Sequence, residues 1–264
     1  MNLWANFMLR IAIVTGASVG LGKEYVRQLD QSGDVDEIWM VARRSDLLDS
    51  VAADLVHSKG RVFAADLTRA ETMKPFYEAL HLDKHDVVWL VNNAGFGKTG
   101  AFDGPLVEVN LSMVDLNIRA MVEMTQRVLP HCRRGCHILQ VGSSAGWKPM
   151  PNFSLYAATK SFVNSFAIAL HYELADRGIT VTAVCPGPVA TDFFDVSSMG
   201  SDKAPRQTRG ADPAKVVATS LQDARAGRAE SVCGFSVKLY GWMSPLLPTC
   251  LTAMVVKRMR SGNS

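Results

Sequence analysis

Tyr156 and Lys160 lie four residues apart in the segment YAATK, and both side chains can take part in proton transfer. On a helix, this spacing places the two side chains on one face. A phenol can donate and accept a proton, and a neighbouring ammonium group stabilises its charged form. The same pentapeptide also fits an ordinary exposed pair on a helix surface, so the rest of the chain must decide between the two interpretations.

A second cluster of reactive side chains lies in HCRRGCH, residues 131–137, which contains His131, Cys132, Cys136 and His137. Adjacent His–Cys pairs on a short turn do not readily converge on a tetrahedral metal ion, and the sequence contains no second cluster of this kind. We therefore expect a helix end and a turn before a strand here, and no metal site.

The composition indicates a soluble globular protein, because 48% of the 264 residues are hydrophobic and 20% are charged. The net charge of +3, without a dense Lys/Arg block, does not indicate a nucleic-acid partner. The N-terminal MNLWANFMLR lacks the pattern of a secretory signal, and no apolar run has the length of a membrane span. With five cysteines, we expect a cytoplasmic protein with reduced thiols.

Apolar runs rich in Val and Ile alternate with longer helical patterns along the whole chain. Such runs predict strands buried on both faces, and their alternation with helices predicts right-handed βαβ units. The predicted fold is α/β, a doubly wound parallel sheet of the Rossmann type, in a single domain over 1–264 with a core of about 9–240 and a C-terminal extension at 241–264. The predicted strands are RIAIVTG (10–16), EIWMVA (37–42), RVFAADL (61–67), DVVWLVNNAG (86–95), CHILQVGS (136–143) and ITVTAVCPG (179–187), with a seventh strand and a tail helix from SVCGFSVKLYG (231–241).

The segment TGASVGLG, residues 15–22, follows the first predicted strand and opens the first predicted helix. Gly16 permits a tight turn, Gly20 lets the backbone approach a pyrophosphate, and Gly22 allows close helix packing. Free backbone N–H groups at the start of a helix favour phosphate. The sequence therefore predicts a dinucleotide-binding loop, although its Gly-x3-Gly-x-Gly spacing differs from the commoner Gly-x-Gly-x2-Gly.

The cofactor preference depends on the residues that follow the second strand. An acidic residue there would bind a ribose 2′-hydroxyl group, whereas an arginine would bind a 2′-phosphate. Arg43 and Arg44 occupy this position, and no acidic residue does. We therefore predict NADP(H) in preference to NAD(H).

Four motifs in order, TGASVGLG, NNAG (92–95), GSSAG (142–146) and YAATK, make the chain resemble the short-chain dehydrogenase/reductase family in its common single-domain form. The resemblance covers residues 9–240 and extends to hydroxysteroid dehydrogenase-like members. It implies an NADP-dependent oxidoreductase acting on a CH–OH group, assembled as a homodimer or homotetramer.

The resemblance also implies roles for four residues that match the family's catalytic motif. Tyr156 would be the acid/base, and Lys160 would lower its pKa and hold the nicotinamide ribose. Ser143, in preference to its neighbour Ser144, would hydrogen-bond the substrate oxygen. Asn117 would anchor a water in a proton relay.

The cofactor contacts are implied in the same way, with Asp66 expected beside the adenine, Asn92 and Gly95 in the motif that lines the cofactor, and the segment PGPVAT beside the nicotinamide amide. The complete predicted cofactor-binding set is Gly16, Ser18, Gly20, Leu21, Gly22, Arg43, Arg44, Asp66, Leu67, Asn93, Ala94, Gly95, Tyr156, Lys160, Pro186, Gly187, Val189 and Thr191.

Substrate specificity is expected in GFGKTGAF, in WKPMPNF, and in residues 192–212, whose length is typical of a lid. Aromatic and methionine side chains in these stretches could form an apolar pocket, or could simply pack the domain. Together with Ser143, the predicted substrate-binding residues are Trp147, Phe153 and Phe193, and Met150 and Phe194 are further candidates. We expect a bulky hydrophobic ketone or secondary alcohol, such as a hydroxysteroid or bile acid, or else a long-chain acyl compound or another lipid.

Three other functions remain open from the sequence. A reductase of 3-oxoacyl thioesters would use the same catalytic residues with a basic entrance, for which Lys98, Lys148 and Arg206 are candidates. An NADPH-binding sensor would bind the cofactor without turnover, and an epimerase or dehydratase would return its hydride to the substrate.

The apolar tail, residues 238–260, ends in basic residues. It could pack on a sister subunit, cover the pocket or lie on a membrane surface. Its two prolines argue against one continuous amphipathic helix, so membrane contact is the least favoured of these.

Overall fold

The fold is a single sheet of seven parallel strands, seen in a computed structural model that describes residues 8–82, 85–190 and 210–261. The order β3-β2-β1-β4-β5-β6-β7 reverses direction between β1 and β4, which opens a crevice at the carboxyl ends of those strands. This confirms the predicted doubly wound sheet. The strands are β1 (Leu9–Thr15), β2 (Glu37–Ala42), β3 (Lys59–Ala64), β4 (His85–Asn92), β5 (Cys132–Val141), β6 (Thr180–Val184) and β7 (Glu230–Ser231).

Helices cover both faces of the sheet. The helices are α1 (Gly20–Ser32), α2 (Ser45–Ala53), α3 (Ala70–Leu82), α4 (Val107–Val114), α5 (Met121–Val128), α6 (Ser154–Glu173), α7 (Pro213–Arg225), α8 (Phe235–Met243) and α9 (Thr249–Ser261). Trp39 and Phe76 are fully buried in the core on one face, and Tyr25 and Leu29 in the core on the other. Burial on both faces explains why the strands read as continuous apolar runs.

The segment HCRRGCH differs from its prediction. A short 3-10 turn ends at His131, and β5 begins at once with Cys132, so the predicted turn is wrong. Gly135 has a φ of +92°, and the pairing with β4 shifts its register between Val87 and Trp89. The segment that interrupts the apolar pattern therefore forms a bulged part of the strand. Within the described ranges, no group of three or more His, Cys, Asp or Glu side chains could hold a metal ion.

The apolar periodicity of LSMVDLNIRAMVEMTQRVLP, residues 111–130, predicts one long helix, and the structure shows a wider turn within it. Between α4 and α5, residues Asp115–Ala120 form a π-helical turn, which carries Asn117. π turns inside helices are frequently found at functional sites. Sequence periodicity did not indicate this turn, since the apolar pattern continues through it.

The C-terminal tail forms two helices rather than one. Pro245 and Pro248 lie between α8 and α9, as the prolines predicted. Of the helices in the described part of the chain, none combines the length and the apolar character needed to cross a membrane.

Candidate active site

Tyr156 and Lys160 lie on one face of α6 and are both buried, with 7% and 4% of their surfaces exposed. The interpretation as an exposed surface pair is therefore wrong. Lys160 Nζ lies 5.8 Å from the centroid of the Tyr156 ring, and the ring of Phe153 stacks on Tyr156 at 4.3 Å. An apolar wall and a cation thus meet at the phenol.

Lys160 is held at the carboxyl end of β5. Its Nζ donates a hydrogen bond of 2.7 Å to the Val141 carbonyl oxygen, which uses one of the three donors of an ammonium group. Burial lowers the pKa of Lys160 to about 8, and the neighbouring Cys185 opposes this shift. The side chain can therefore gain or lose a proton near neutral pH.

Burial raises the pKa of Tyr156 to about 12, and its hydrogen bond with Ser143 lowers the pKa. The resemblance implied that Lys160 lowers this pKa, whereas in this structure the lowering contact is Ser143, and burial outweighs it because removing a phenolate from water is unfavourable. Tyr156 is therefore protonated at neutral pH, the state that a proton donor needs.

Ser143 lies just after β5, and its backbone is fixed by Asn164. The Ser143 N–H donates to Asn164 Oδ1 at 3.3 Å, and Asn164 Nδ2 donates to the Ser143 carbonyl oxygen at 2.9 Å. Sequence reasoning missed Asn164. The available signal was the spacing, since Tyr156, Lys160 and Asn164 are each four residues apart on α6.

Asn117 joins three parts of the site. Its Oδ1 accepts a hydrogen bond from Phe96 N–H at 3.0 Å, and its Nδ2 donates to the Phe96 carbonyl oxygen at 2.9 Å. Nδ2 also donates to Thr159 Oγ1 on α6 at 3.0 Å. The π turn, the segment after β4 and α6 are thereby linked. The water-anchoring role of Asn117 stays a prediction.

Two glycines let the backbone approach α6 closely. A Cβ atom at Gly146 would lie 2.6 Å from the Lys160 carbonyl carbon and 2.7 Å from Ser161 N. At Gly97 it would lie 2.7 Å from Tyr156 Cδ2. Only a residue without a side chain fits these contacts without a shift. Gly146 therefore determines how closely the turn that follows Ser143 packs against the helix carrying Tyr156.

The glycine-rich loop is closed around Asn93, at the crevice between β1 and β4. Asn93 Nδ2 donates to the carbonyl oxygens of Thr15 and Gly16 at 3.0 and 3.2 Å. Gly16 has a φ of +64°, and a Cβ atom at Gly22 would overlap the Gly16 carbonyl oxygen. Gly22 thus has the close packing role predicted for it. The backbone N–H of Ala94 donates to Thr15 Oγ1 at 3.1 Å, so Thr15 is a further residue that sequence reasoning missed.

The start of α1 fits a phosphate group. The helix begins after Val19, whose side chain cannot accept a hydrogen bond, and its first turn contains no acidic residue. The side chain of Arg44, directly before α2, reaches across to the loop, with Nη2 3.5 Å from Ser18 Oγ. Backbone N–H groups, a hydroxyl group and a guanidinium group form a donor set that suits phosphate. Arg43 is also exposed beside this set.

Asp66 lies two residues beyond β3 and is partly exposed. Burial raises the pKa of Asp66, but hydrogen bonds from Thr68 and the charge of Arg43 outweigh it and leave the pKa below its ordinary value. The carboxylate is therefore ionised, with Oδ1 accepting from Thr68 N and Oγ1 at 3.0 and 2.7 Å. The neighbouring Leu67 packs partly buried against the core.

The loop after β6 is tied to the turn that follows Ser143. The Pro186 carbonyl oxygen accepts a hydrogen bond from Ser144 N–H at 3.0 Å. Val189 pairs with Ala211, and a Cβ atom at Gly187 would lie 2.8 Å from Val237 Cγ2 on α8. The predicted residues Thr191, Phe193, Phe194 and Arg206, and most of the predicted lid, lie outside the described residues.

Two of the predicted substrate residues have different surroundings. Phe153 is buried against Tyr156 in a small apolar cluster with Met113, flanked by Phe96 and Met150. Trp147 instead contacts the tail, with its ring 5.6 Å from that of Tyr240 and its Nε1 donating to Glu230 Oε1 at 3.3 Å. These contacts support the interpretation that Trp147 packs the domain. A contact between Trp147 and the substrate stays a prediction.

The sequence profile of the short chain dehydrogenase family matches residues 10–200. The chain belongs to this family, as the four motifs implied. It is 31% identical over 249 residues to the very-long-chain 3-oxoacyl-CoA reductase of Anas platyrhynchos, which covers 90% of this chain and 76% of the relative. It is also 32% identical over 188 residues to the 17-beta-hydroxysteroid dehydrogenase type 3 of Mus musculus, which covers 68% of this chain and 60% of the relative.

Solved structures show the same fold with a nicotinamide cofactor. A short-chain dehydrogenase from Sphingobium yanoikuyae in complex with NADPH has a TM-score of 0.76 and 25% identity, over 90% of this chain and 95% of the other. A 3-ketoacyl-(acyl-carrier-protein) reductase from Brucella melitensis complexed with NADH has a TM-score of 0.72 and 25% identity, over 84% and 95%. The protein is a nicotinamide-dependent oxidoreductase acting on a CH–OH or keto group.

Proposed function

We propose that this protein interconverts a ketone and a secondary alcohol on a bulky hydrophobic substrate, with NADP(H) as cofactor and Tyr156 as the acid/base. The observation that carries the proposal is the buried set of Ser143, Tyr156 and Lys160 at the carboxyl edge of the sheet, beside the glycine-rich loop. A cytoplasmic homo-oligomer remains part of this proposal on the basis of the family resemblance.

In the reducing direction, Tyr156 donates its phenolic proton to the carbonyl oxygen of the substrate. Ser143 Oγ–H donates a hydrogen bond to the same oxygen and stabilises its developing negative charge. Because the pKa of Lys160 is about 8, this residue can supply the replacement proton, with Asn117 anchoring the path to solvent. A bound nicotinamide supplies the hydride in this direction and accepts it in the other.

The preference for NADP(H) depends on the Arg44–Ser18 approach. A 2′-phosphate would meet the guanidinium group of Arg44 and the Ser18 hydroxyl group, which lie 3.5 Å apart, with Arg43 beside them. The first turn of α1 would hold the diphosphate. The hydrogen bonds of Asn93 and Thr15 would stabilise the conformation of the glycine-rich loop.

The apolar surroundings of the phenol favour a hydrophobic substrate. Phe153 and Met150 lie beside Tyr156. Gly97 packs against the Tyr156 ring, and the segment that follows Gly97 contains Phe102, which is 67% exposed. A hydroxysteroid or bile acid would fit such a wall, and the similarity to a 17-beta-hydroxysteroid dehydrogenase supports this class.

A 3-oxoacyl thioester is the second candidate, favoured by the similarity to the very-long-chain 3-oxoacyl-CoA reductase. The basic entrance predicted for it is only partly supported. Lys148 Nζ donates to the Leu247 carbonyl oxygen at 2.9 Å, so the tail already engages this cation.

The test is NADPH consumption, with NADH in parallel, against oxo-steroids, oxo-bile acids, acetoacetyl thioesters and small aromatic ketones. We expect turnover of an oxo-steroid with NADPH, and a kcat lowered by about 100-fold or more in Tyr156→Phe. Tyr172→Phe is the matched control, because Tyr172 lies on the same helix and is 72% exposed. Turnover of the acetoacetyl thioester alone would establish the second candidate, and NADPH binding without turnover of any compound would indicate the sensor.

A further inference from the structure

The outer side of α8 carries an apolar stripe that faces solvent. The residues that face the domain are Val237, Gly241 and Ser244. On the opposite side, large apolar side chains follow one another at the helical spacings of four, three and four residues. They are Phe235, Leu239 and Trp242 on α8 and Leu246 in the 3-10 turn that follows it, with exposures of 82, 45, 83 and 83%. Such a stripe normally packs against a core, so its exposure here indicates that it binds an interaction partner.

The last helix, α9, also exposes large apolar side chains. Leu251, Met254 and Val255 are 50, 59 and 49% exposed. We define the tail face as these three residues together with Phe235, Leu239, Trp242 and Leu246. A stripe of exposed large apolar side chains such as the one that begins on α8 marks an interaction site.

The charge of this segment has one sign. Residues 232–264 contain four basic side chains, Lys238, Lys257, Arg258 and Arg260, and no acidic one. The rest of the chain is nearly neutral, since the whole chain has a net charge of +3. The apolar face and the positive charge therefore coincide in one part of the molecule.

We propose that the tail face docks onto a phospholipid bilayer that contains anionic lipid. Interfacial helices combine an apolar face that enters the headgroup boundary with Lys and Arg that attract anionic headgroups. Trp242, in the tail face, has the amphipathic ring that is enriched at this boundary. Both helices are too short to cross a bilayer, so the tail would lie on its surface.

A second copy of the chain is a poorer occupant for the tail face. A two-fold interface brings the same surface patch of both subunits together. Here it would bring two cationic, acid-free segments into contact, and like charges at an interface are unfavourable. The charge thus discriminates between the two occupants in favour of anionic lipid.

The test is cosedimentation of the full chain with phosphatidylcholine vesicles that contain about 25% phosphatidylglycerol, compared with pure phosphatidylcholine. We expect binding to the anionic vesicles and release in about 0.5 M NaCl. The double substitution Phe235→Ser and Trp242→Ser should weaken binding by at least about tenfold, because two large exposed apolar groups are lost. Lys238→Glu should weaken binding to the anionic vesicles alone.

Val56→Ser is the matched control, since Val56 is 80% exposed in the segment between α2 and β3 and lies outside the tail. Thermal unfolding of each variant verifies that it is folded. Failure of the folded wild-type chain to bind either vesicle would overturn the proposal, as would equal weakening in Val56→Ser. If the double substitution dissociates an oligomer in light scattering and leaves vesicle binding unchanged, the tail face belongs to a second copy.

Discussion

Replacing Gly146 by alanine tests how the distance between Ser143 and Tyr156 is set. The added Cβ atom would lie 2.6 Å from the Lys160 carbonyl carbon, about 0.8 Å short of the 3.4 Å at which such contacts become ordinary. All three contacting atoms, two in Lys160 and one in Ser161, belong to the backbone of α6, so no side-chain rotation relieves the overlap. Gly146 is not among the glycines with a positive φ, so alanine introduces no backbone strain of its own.

We expect the added methyl group to move the turn that contains residue 146 away from α6 by most of 1 Å. Misplacement of this size can lower a rate by about 100-fold, so we expect kcat to fall by about 10- to 100-fold. The free energy of unfolding should fall by about 1–3 kcal/mol, the usual cost of overpacking. The assay is steady-state NADPH oxidation with the ketone of the test panel that the wild-type protein reduces, together with urea unfolding.

Gly60→Ala separates loss of stability from loss of geometry. In β3, the new Cβ atom would lie 2.9 Å from Ala52 Cβ and 3.1 Å from Leu55 Cδ1, which are side-chain atoms outside the site. This variant should lose stability and keep its kcat. If Gly146→Ala retains the wild-type kcat and unfolding free energy, or if Gly60→Ala loses as much activity, the reasoning about backbone contact is refuted.

Three further predictions concern the cofactor, the turn and pH. Arg44→Ala should weaken NADPH binding by about 10- to 100-fold and leave NADH binding unchanged in fluorescence titrations, because a charged hydrogen bond to phosphate is lost; equal weakening of both would contradict it. Asn164→Ala should lower the unfolding free energy in urea by about 2–4 kcal/mol, since two backbone groups of Ser143 lose their partner, and an unchanged value would disprove that role. Burial lowers the pKa of Lys160 from 10.5 to about 8, so between these values the unfolded chain binds more protons than the folded chain. The unfolding free energy of the cofactor-free protein should therefore rise by about 2 kcal/mol between pH 8 and about 9.5 relative to Lys160→Met, and parallel pH profiles would count against it.

The fold could be predicted because burial on both faces leaves a clear pattern in the sequence. Every residue of β2 is buried, and the predicted and observed bounds of this strand are both 37–42. β7 has only two residues, too few for a periodic pattern, so its bounds could not be predicted. The predicted start of β5 lies too late in the chain. Gly135 and two arginines interrupt the apolar pattern, although the strand continues through a bulge.

The site residues that belong to local sequence motifs could be predicted. Those whose role depends on tertiary contacts could not. Tyr156 and Lys160 are indicated by their spacing, but their burial depends on the stacking of Phe153 and the close approach of Gly97. The π turn that carries Asn117 is linked to the backbone of Phe96, 21 residues away, so local periodicity contains no sign of it. Thr15 likewise acts through hydrogen bonds to residues of another strand end.

Backbone contact between the Gly146 turn and α6 has a consequence for how specificity can evolve. The turn and the helix meet through main-chain atoms and through Asn164, and none of these belongs to the stretches in which substrate recognition is expected. Insertions or substitutions in residues 98–104 or 148–152, which leave Gly97 and Phe153 against the Tyr156 ring, can therefore reshape the pocket while the reacting groups keep their spacing. An engineer seeking a new substrate would randomise those loops and leave the glycine-supported turn untouched.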